Sequence, residues 1–149
     1  MAYGVRYYTT YKRRSGGTTT IQILERNYSS SSTQLRADAN PLTITTTGNG
    51  NNIYTPTLGS GAVIRLLVTP LTFHSLFFVT DPQKLMVKVF SGSTSESPIW
   101  QGFVSTGIYS EDYSEATLTP IQLQCNDGMA LLGGNDKERA RKASLKELE

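Results

Sequence analysis

The chain has 149 residues, 38% of them hydrophobic and 17% charged, with a formal net charge of +2. That length carries one domain with a real core, and so small a charge gives no reason to expect nucleic acid or an anionic membrane as partner. The single cysteine, Cys125, excludes an intrachain disulfide and with it a stapled secreted scaffold.

Thr, Ser, Tyr and Gly fill the space left by the modest charged and hydrophobic fractions. They are residues of strands and turns, so the expected fold is all-β. The expectation is an antiparallel sandwich or barrel of about eight to ten strands, followed by a C-terminal helix. The first residues, Met1 to Arg6, show no apolar run after a basic start. The longest apolar stretches, Ala62 to Val68 and Leu76 to Val79, are far too short to cross a bilayer. A soluble protein made in the cytoplasm is expected.

Arg6 to Tyr11 reads as a first strand and Thr18 to Arg26 as a second, joined by Lys12-Arg13-Arg14-Ser15-Gly16-Gly17 as a hairpin turn. The three basic residues of that turn stand in solvent. Tyr28 to Thr33 is a polar connection. Leu35 to Asp38 is a weak strand, and Pro41 to Thr47 alternates as another. Gly48 to Asn52 has turn chemistry, because Gly and Asn tolerate positive φ. Ile53 to Thr57 is a short strand, with Pro56 marking an edge or a strand end.

After Gly59-Ser60-Gly61, the run Ala62 to Val68 is a central strand with apolar residues on both faces. Thr72 to Asp81 fits a strand or one helical turn equally well. Leu85 to Phe90 is a strand with Leu85, Val87 and Val89 on one side. Ser91 to Pro98 is a polar loop, and Ile99 to Val104 pairs back. Ile121, Leu123 and Cys125 face inward on the most regular half-buried strand, with Gln122 and Gln124 outward. Asn126-Asp127-Gly128 turns it, with Asp127 a plausible N-cap. The composition then changes. Residues 1–133 form the expected β-domain, and 134–149 an expected helical tail opened by an Asn135/Glu138 capping box. Its apolar stripe is thin, so the tail should be separable from the β-domain.

Few residues offer chemistry. His74 is the only histidine, which excludes His-pair metal sites. Ser75 and Asp81 lie near it, but no nucleophile elbow brings the three together. Cys125 is a possible nucleophile, yet its inward place on a patterned strand makes it a small buried hydrophobe instead. Glu111, Asp112 and Glu115 form an acidic cluster better read as a solvated loop than as a Ca²⁺ or glycosidase site. Neither Gly59-Ser60-Gly61 nor Gly133-Gly134 has the lysine and helix of a phosphate loop. Tyr7, Tyr8, Tyr11, Tyr28, Tyr54, Tyr109 and Tyr113, with Trp100, suit a sugar-binding or base-stacking platform, or packed faces and subunit interfaces. Tyr109 and Tyr113 are the interface candidates. No catalytic residue, cofactor or metal ligand is expected.

Four segments carry a resemblance. They are Ile53-Tyr54-Thr55-Pro56-Thr57-Leu58-Gly59-Ser60-Gly61-Ala62, Trp100-Gln101-Gly102-Phe103-Val104, Tyr109 to Tyr113, and Asn126-Asp127-Gly128-Met129-Ala130-Leu131-Leu132. In that order, from about Tyr7 to Leu132, the chain resembles the N-terminal domain of tail-associated structural proteins of Bacteroidetes phages and prophages, of the baseplate-hub or tail-fibre-attachment kind. Members of that family continue well beyond the last segment, where a charged helix follows here. The resemblance implies a virion structural module, made in the bacterial host and placed in the phage tail. It implies a homo-oligomer that also packs against other tail proteins, with no enzyme activity. The rival from the residues alone is a carbohydrate-binding β-module resting on the tyrosines and Trp100.

Overall fold

The first hairpin forms where β-branched and aromatic residues alternate on both sides of a Gly-rich turn. In the computed structural model, which describes residues 2–47, 59–77, 79–105 and 117–128, β1 (Tyr3–Lys12) pairs antiparallel with β2 (Thr18–Arg26), ending on Lys12 opposite Thr18. Arg13 N donates to Gly17 O at 2.7 Å, and Gly16 takes φ +97°, a region that glycine enters without strain. The remaining elements are β3 (Thr33–Gln34), β4 (Arg36–Thr47), β5 (Gly59–Val68), α1 (Pro70–Phe77), β6 (Leu85–Ser91), β7 (Trp100–Val104) and β8 (Thr119–Asn126).

The eight strands make one sheet in the order β3-β1-β2-β6-β7-β8-β5-β4. The first and last strands of that order are neighbours in the chain, with only Leu35 between them. One segment, 33–47, therefore borders β1 at its start and β5 along the rest of its length. The sheet must roll until its two edges meet at that segment, which is the topology of a closed sheet. Leu35 N donates to Tyr8 O at 2.8 Å at the crossing point.

The all-β expectation holds. The sheet is mixed rather than purely antiparallel, because β1 and β3 run parallel. The expected break between Leu35–Asp38 and Pro41–Thr47 is absent: a bulge absorbs Asn40 and Pro41 within one strand. Thr72 to Asp81, ambiguous in sequence, begins in α1. The expected strand Ile53 to Thr57 and the helix of 134–149 lie outside the described residues.

Alternation fills the inside. Ile21 and Ile23 of β2, Ala62, Ile64, Leu66 and Val68 of β5, Leu85, Val87 and Val89 of β6, and Ile121, Leu123 and Cys125 of β8 form one core cluster. β8 buries every second residue from Thr119 to Cys125, as its sequence pattern requires. On β5 only one face is fully buried, and Val63, Arg65 and Leu67 are half-covered. Helix α1 leaves the end of β5 and sends Leu76, 1% exposed, into the same core. Ser75 Oγ lies 2.7 Å from Tyr7 Oη, tying that helix to β1. Each large apolar side chain removed from water here contributes about 1.5–3 kcal/mol.

Candidate functional site

The place where the rolled sheet meets itself is only partly stitched. Residues of β1 alternate in the direction of their backbone groups. Arg13 N bonds to the β2 side of the hairpin, and Tyr8 O accepts from Leu35 on the other side. By the same alternation Tyr8, Thr10 and Lys12 direct their N–H and C=O groups toward the closing segment. Among the described residues only Tyr7 and Tyr8 have ladder partners there, Thr33 and Gln34. Past Leu35 the chain turns to pair with β5. Among the described residues no ladder pair joins β1 to β4.

The bend of β4 has a local cause. Asp38 to Pro41 stand opposite Arg65 alone, between the pairs Ala37–Leu66 and Leu42–Ile64. Asn40 takes φ +51°, which Asn tolerates better than most residues. Arg65 Nη1 donates to Asn40 O at 3.2 Å and to Thr43 Oγ1 at 3.1 Å, holding the bulge to β5. An open cavity of about 510 Å³ lies between Thr9–Tyr11 and Gln34–Ala37. Its lining mixes Leu35, which belongs to the core, and Tyr11, which packs against it, with Thr9, Thr10, Gln34 and Arg36. Burial raises the Tyr11 hydroxyl above its ordinary pKa, against the opposing hydrogen bond to Thr19 and the Arg13 charge. Exposed Arg36 lines the rim, and exposed Lys12, Arg13 and Arg14 follow at the end of β1. The carboxylate on this stretch of β4 is Asp38, whose Oδ1 accepts from Ala39 N at 2.7 Å.

Two polar networks elsewhere hold connections in place. Arg6, the extra residue of a bulge in β1, bonds to Glu25 and lies over the rings of Tyr7 and Tyr28 at 5.3 and 5.6 Å. Burial works against its charge, but the Glu25 hydrogen bond and the surrounding Coulomb attraction outweigh it, so its pKa is raised. Lys84 Nζ also reaches Glu25 at 3.4 Å, and Arg26 pairs with Asp81 at 2.9 Å. In the second network Trp100 Nε1 donates to Ser60 Oγ at 2.9 Å, and Ser60 Oγ donates to Asp127 Oδ2 at 2.9 Å. Asp127 Oδ2 also accepts from Ser60 N at 2.6 Å, joining the start of β5 to the end of β8.

The sequence-level candidates are scattered. Cys125 is buried, and burial pushes its thiol up to about 12, so it carries a proton at neutral pH. His74 falls in α1. Its two neighbours in sequence are engaged elsewhere: Ser75 Oγ contacts Tyr7 Oη and donates to Thr72 O, while Asp81 holds Arg26 and accepts from Gln83 N. Among the described residues no group of three or more His, Cys, Asp or Glu side chains gathers as a metal site. Glu111, Asp112, Glu115 and the interface candidates Tyr109 and Tyr113 lie outside the described residues.

Among the described residues, Trp100, Tyr7 and Tyr28 do not share one platform, and Tyr54 lies outside them. Trp100 is 8% exposed in the core, and Tyr7 is buried beside α1. Tyr28 Oη donates to Ser31 O at 2.8 Å within its own loop. Reading residues one by one missed the seam, because strand neighbours are set by long-range pairing. The local signal was the bulge chemistry of Asn40-Pro41 beside a single core residue, Leu35. Comparison of the chain with protein-family models, with curated proteins and with solved structures found no match.

Proposed function

We propose that this chain is an assembly module of a phage tail, a domain of the baseplate or hub that packs against copies of itself and against other tail proteins. The seam between β1 and β4 carries the reading. Among the described residues, Thr10 and Lys12 of β1 direct backbone groups to a stretch where β4 offers them no ladder, with exposed Arg36 at its rim. Strand edges without partners recognise other strands, through main-chain hydrogen bonds that need no catalytic group. The resemblance of the four segments to tail proteins supports the same reading. Its mechanism is subunit packing in a closed symmetric array, not turnover, and it calls for no cofactor. The tail of the virion is then the place of action, and the bacterial cytoplasm the place of synthesis. A carbohydrate-binding module would need exposed rings, and Trp100 offers none because its indole is buried and bonded to Ser60.

Sedimentation of single variants tests this reading. Tyr109→Ala and Tyr113→Ala should weaken self-association by about tenfold or more, since aromatic anchors dominate interface energetics. His74→Ala should leave it unchanged. Equal association for all three would remove the tyrosine segment as an assembly surface. A hydrolytic activity abolished by His74→Ala would overturn the structural reading.

A further inference from the structure

We propose that Asp127-Gly128 is a latent site of backbone isomerisation, and that Ser60 is the residue holding it closed. The inference goes beyond the assembly reading and stands without it. An aspartate followed by glycine lets the next main-chain nitrogen reach the side-chain carboxyl, because glycine puts no side chain beside that nitrogen. Asp127-Gly128 is the one such pair in the sequence. Gly128 is exposed, and no described atom lies within 4 Å of where its Cβ would stand. The reaction needs only water. Gly128 N bonds to Asp127 Cγ, and one carboxyl oxygen leaves as water with the amide proton and the acid proton. Water then reopens the cyclic imide at either carbonyl. Opening at the main-chain carbonyl leaves the chain running through the side chain, with one extra methylene in the backbone and no atom gained or lost overall. That methylene falls where β8, which ends at Asn126, leaves the sheet.

The start of β5 clasps the carboxylate. Asp127 Oδ2 accepts from Ser60 N at 2.6 Å and from Ser60 Oγ at 2.9 Å, while Asp127 N donates back to Ser60 O at 3.0 Å. The other carboxylate oxygen lies against Gly59, where a Cβ would stand 3.1 Å from it. Gly59 also takes φ +137°, so glycine is needed there for the backbone as well as for the room. Trp100 Nε1 donates to Ser60 Oγ, which leaves the hydroxyl proton for Asp127. Attack requires Asp127 Cγ to turn onto Gly128 N. The Ser60 donors fix the carboxylate to β5 instead, and hydrogen bonds to a charged group are among the costlier ones to break. Isomerisation therefore follows local opening of the corner between β5 and β8, not exposure of Gly128 alone.

Ageing of the full chain tests the site. Samples are held at neutral pH, digested, and the isoaspartyl form of the Asp127 peptide is separated from the normal form by chromatography. The folded wild type should isomerise about tenfold or more slowly than the same chain in denaturant, where the clasp is gone. Ser60→Ala removes the hydroxyl donor and keeps the main-chain one, and it should speed the folded chain by about tenfold, the worth of one charge-assisted hydrogen bond. Ser60→Thr keeps a hydroxyl and should restore the slow rate. Melting midpoints above the ageing temperature establish that the variants are folded. Absence of isoaspartate in denaturant overturns the site. Equal rates for folded and denatured wild type overturn the clasp, whatever the variants do. Ser60→Ala at the wild-type rate, or Ser60→Thr as fast as Ser60→Ala, overturns the role of the Ser60 hydroxyl.

Discussion

Trp100 shows how one side chain fixes the meaning of its neighbours. Its ring lies over Gly102, two residues on along the same strand face. A Cβ at Gly102 would meet that ring and the carbonyl oxygen of Asn126. Glycine is therefore required there by the tryptophan's own packing. Trp100→Ala should cost about 3–5 kcal/mol in denaturant unfolding, since it empties core volume and removes the indole hydrogen bond to Ser60 Oγ. A loss below about 1 kcal/mol would show that the ring contributes little packing. Cys125 makes a separate prediction in pH. Burial raises its thiol from 9.0 to about 12, so the folded state holds a proton that the unfolded chain has already lost in between. This contribution is full below pH 9 and is lost as pH rises toward about 12. Cys125→Ala should flatten the alkaline fall in stability over that window. An unchanged alkaline slope would mean that the thiol does not govern it.

At the scale of elements, legibility divided by the range of the interaction. β2 was read at its observed limits, and β8 in its correct orientation, because each buries one face and a period of two is a local property. The opening hairpin was legible for the same reason, with its turn residues between two alternating runs. The 33–47 segment was not. Asn40 and Pro41 are turn residues by composition, yet Arg65 clamps them into a bulge within one strand. Nothing local to Thr33 or Gln34 shows that they pair parallel with β1 while β4 pairs with β5. α1 stayed ambiguous because it is a single short helix with one deeply buried residue, Leu76, in its described part. The seam was invisible for the same long-range reason, whereas its basic turn was read as exposed and is exposed. Leu35 is the residue on which the closure depends: it is 9% exposed, and its amide bonds to Tyr8. Leu35→Ala should cost about 2–5 kcal/mol in urea unfolding, as for other buried leucines. A loss below about 1 kcal/mol would show that the crossing is not a stability element.

For the whole molecule, rolling the sheet exchanges two long exposed edges for one short seam. Free edges invite indiscriminate pairing, and closure removes most of that liability. What remains is a bounded edge beside exposed Arg36. The core inside is continuous from β2 across β6 to β5 and β8, with α1 over one end. Light scattering of the purified full chain over a range of concentrations tests the central claim of assembly most directly. The account predicts one defined mass, a small whole-number multiple of 16.4 kDa. A mass that stays at the single-chain value at every concentration would contradict it.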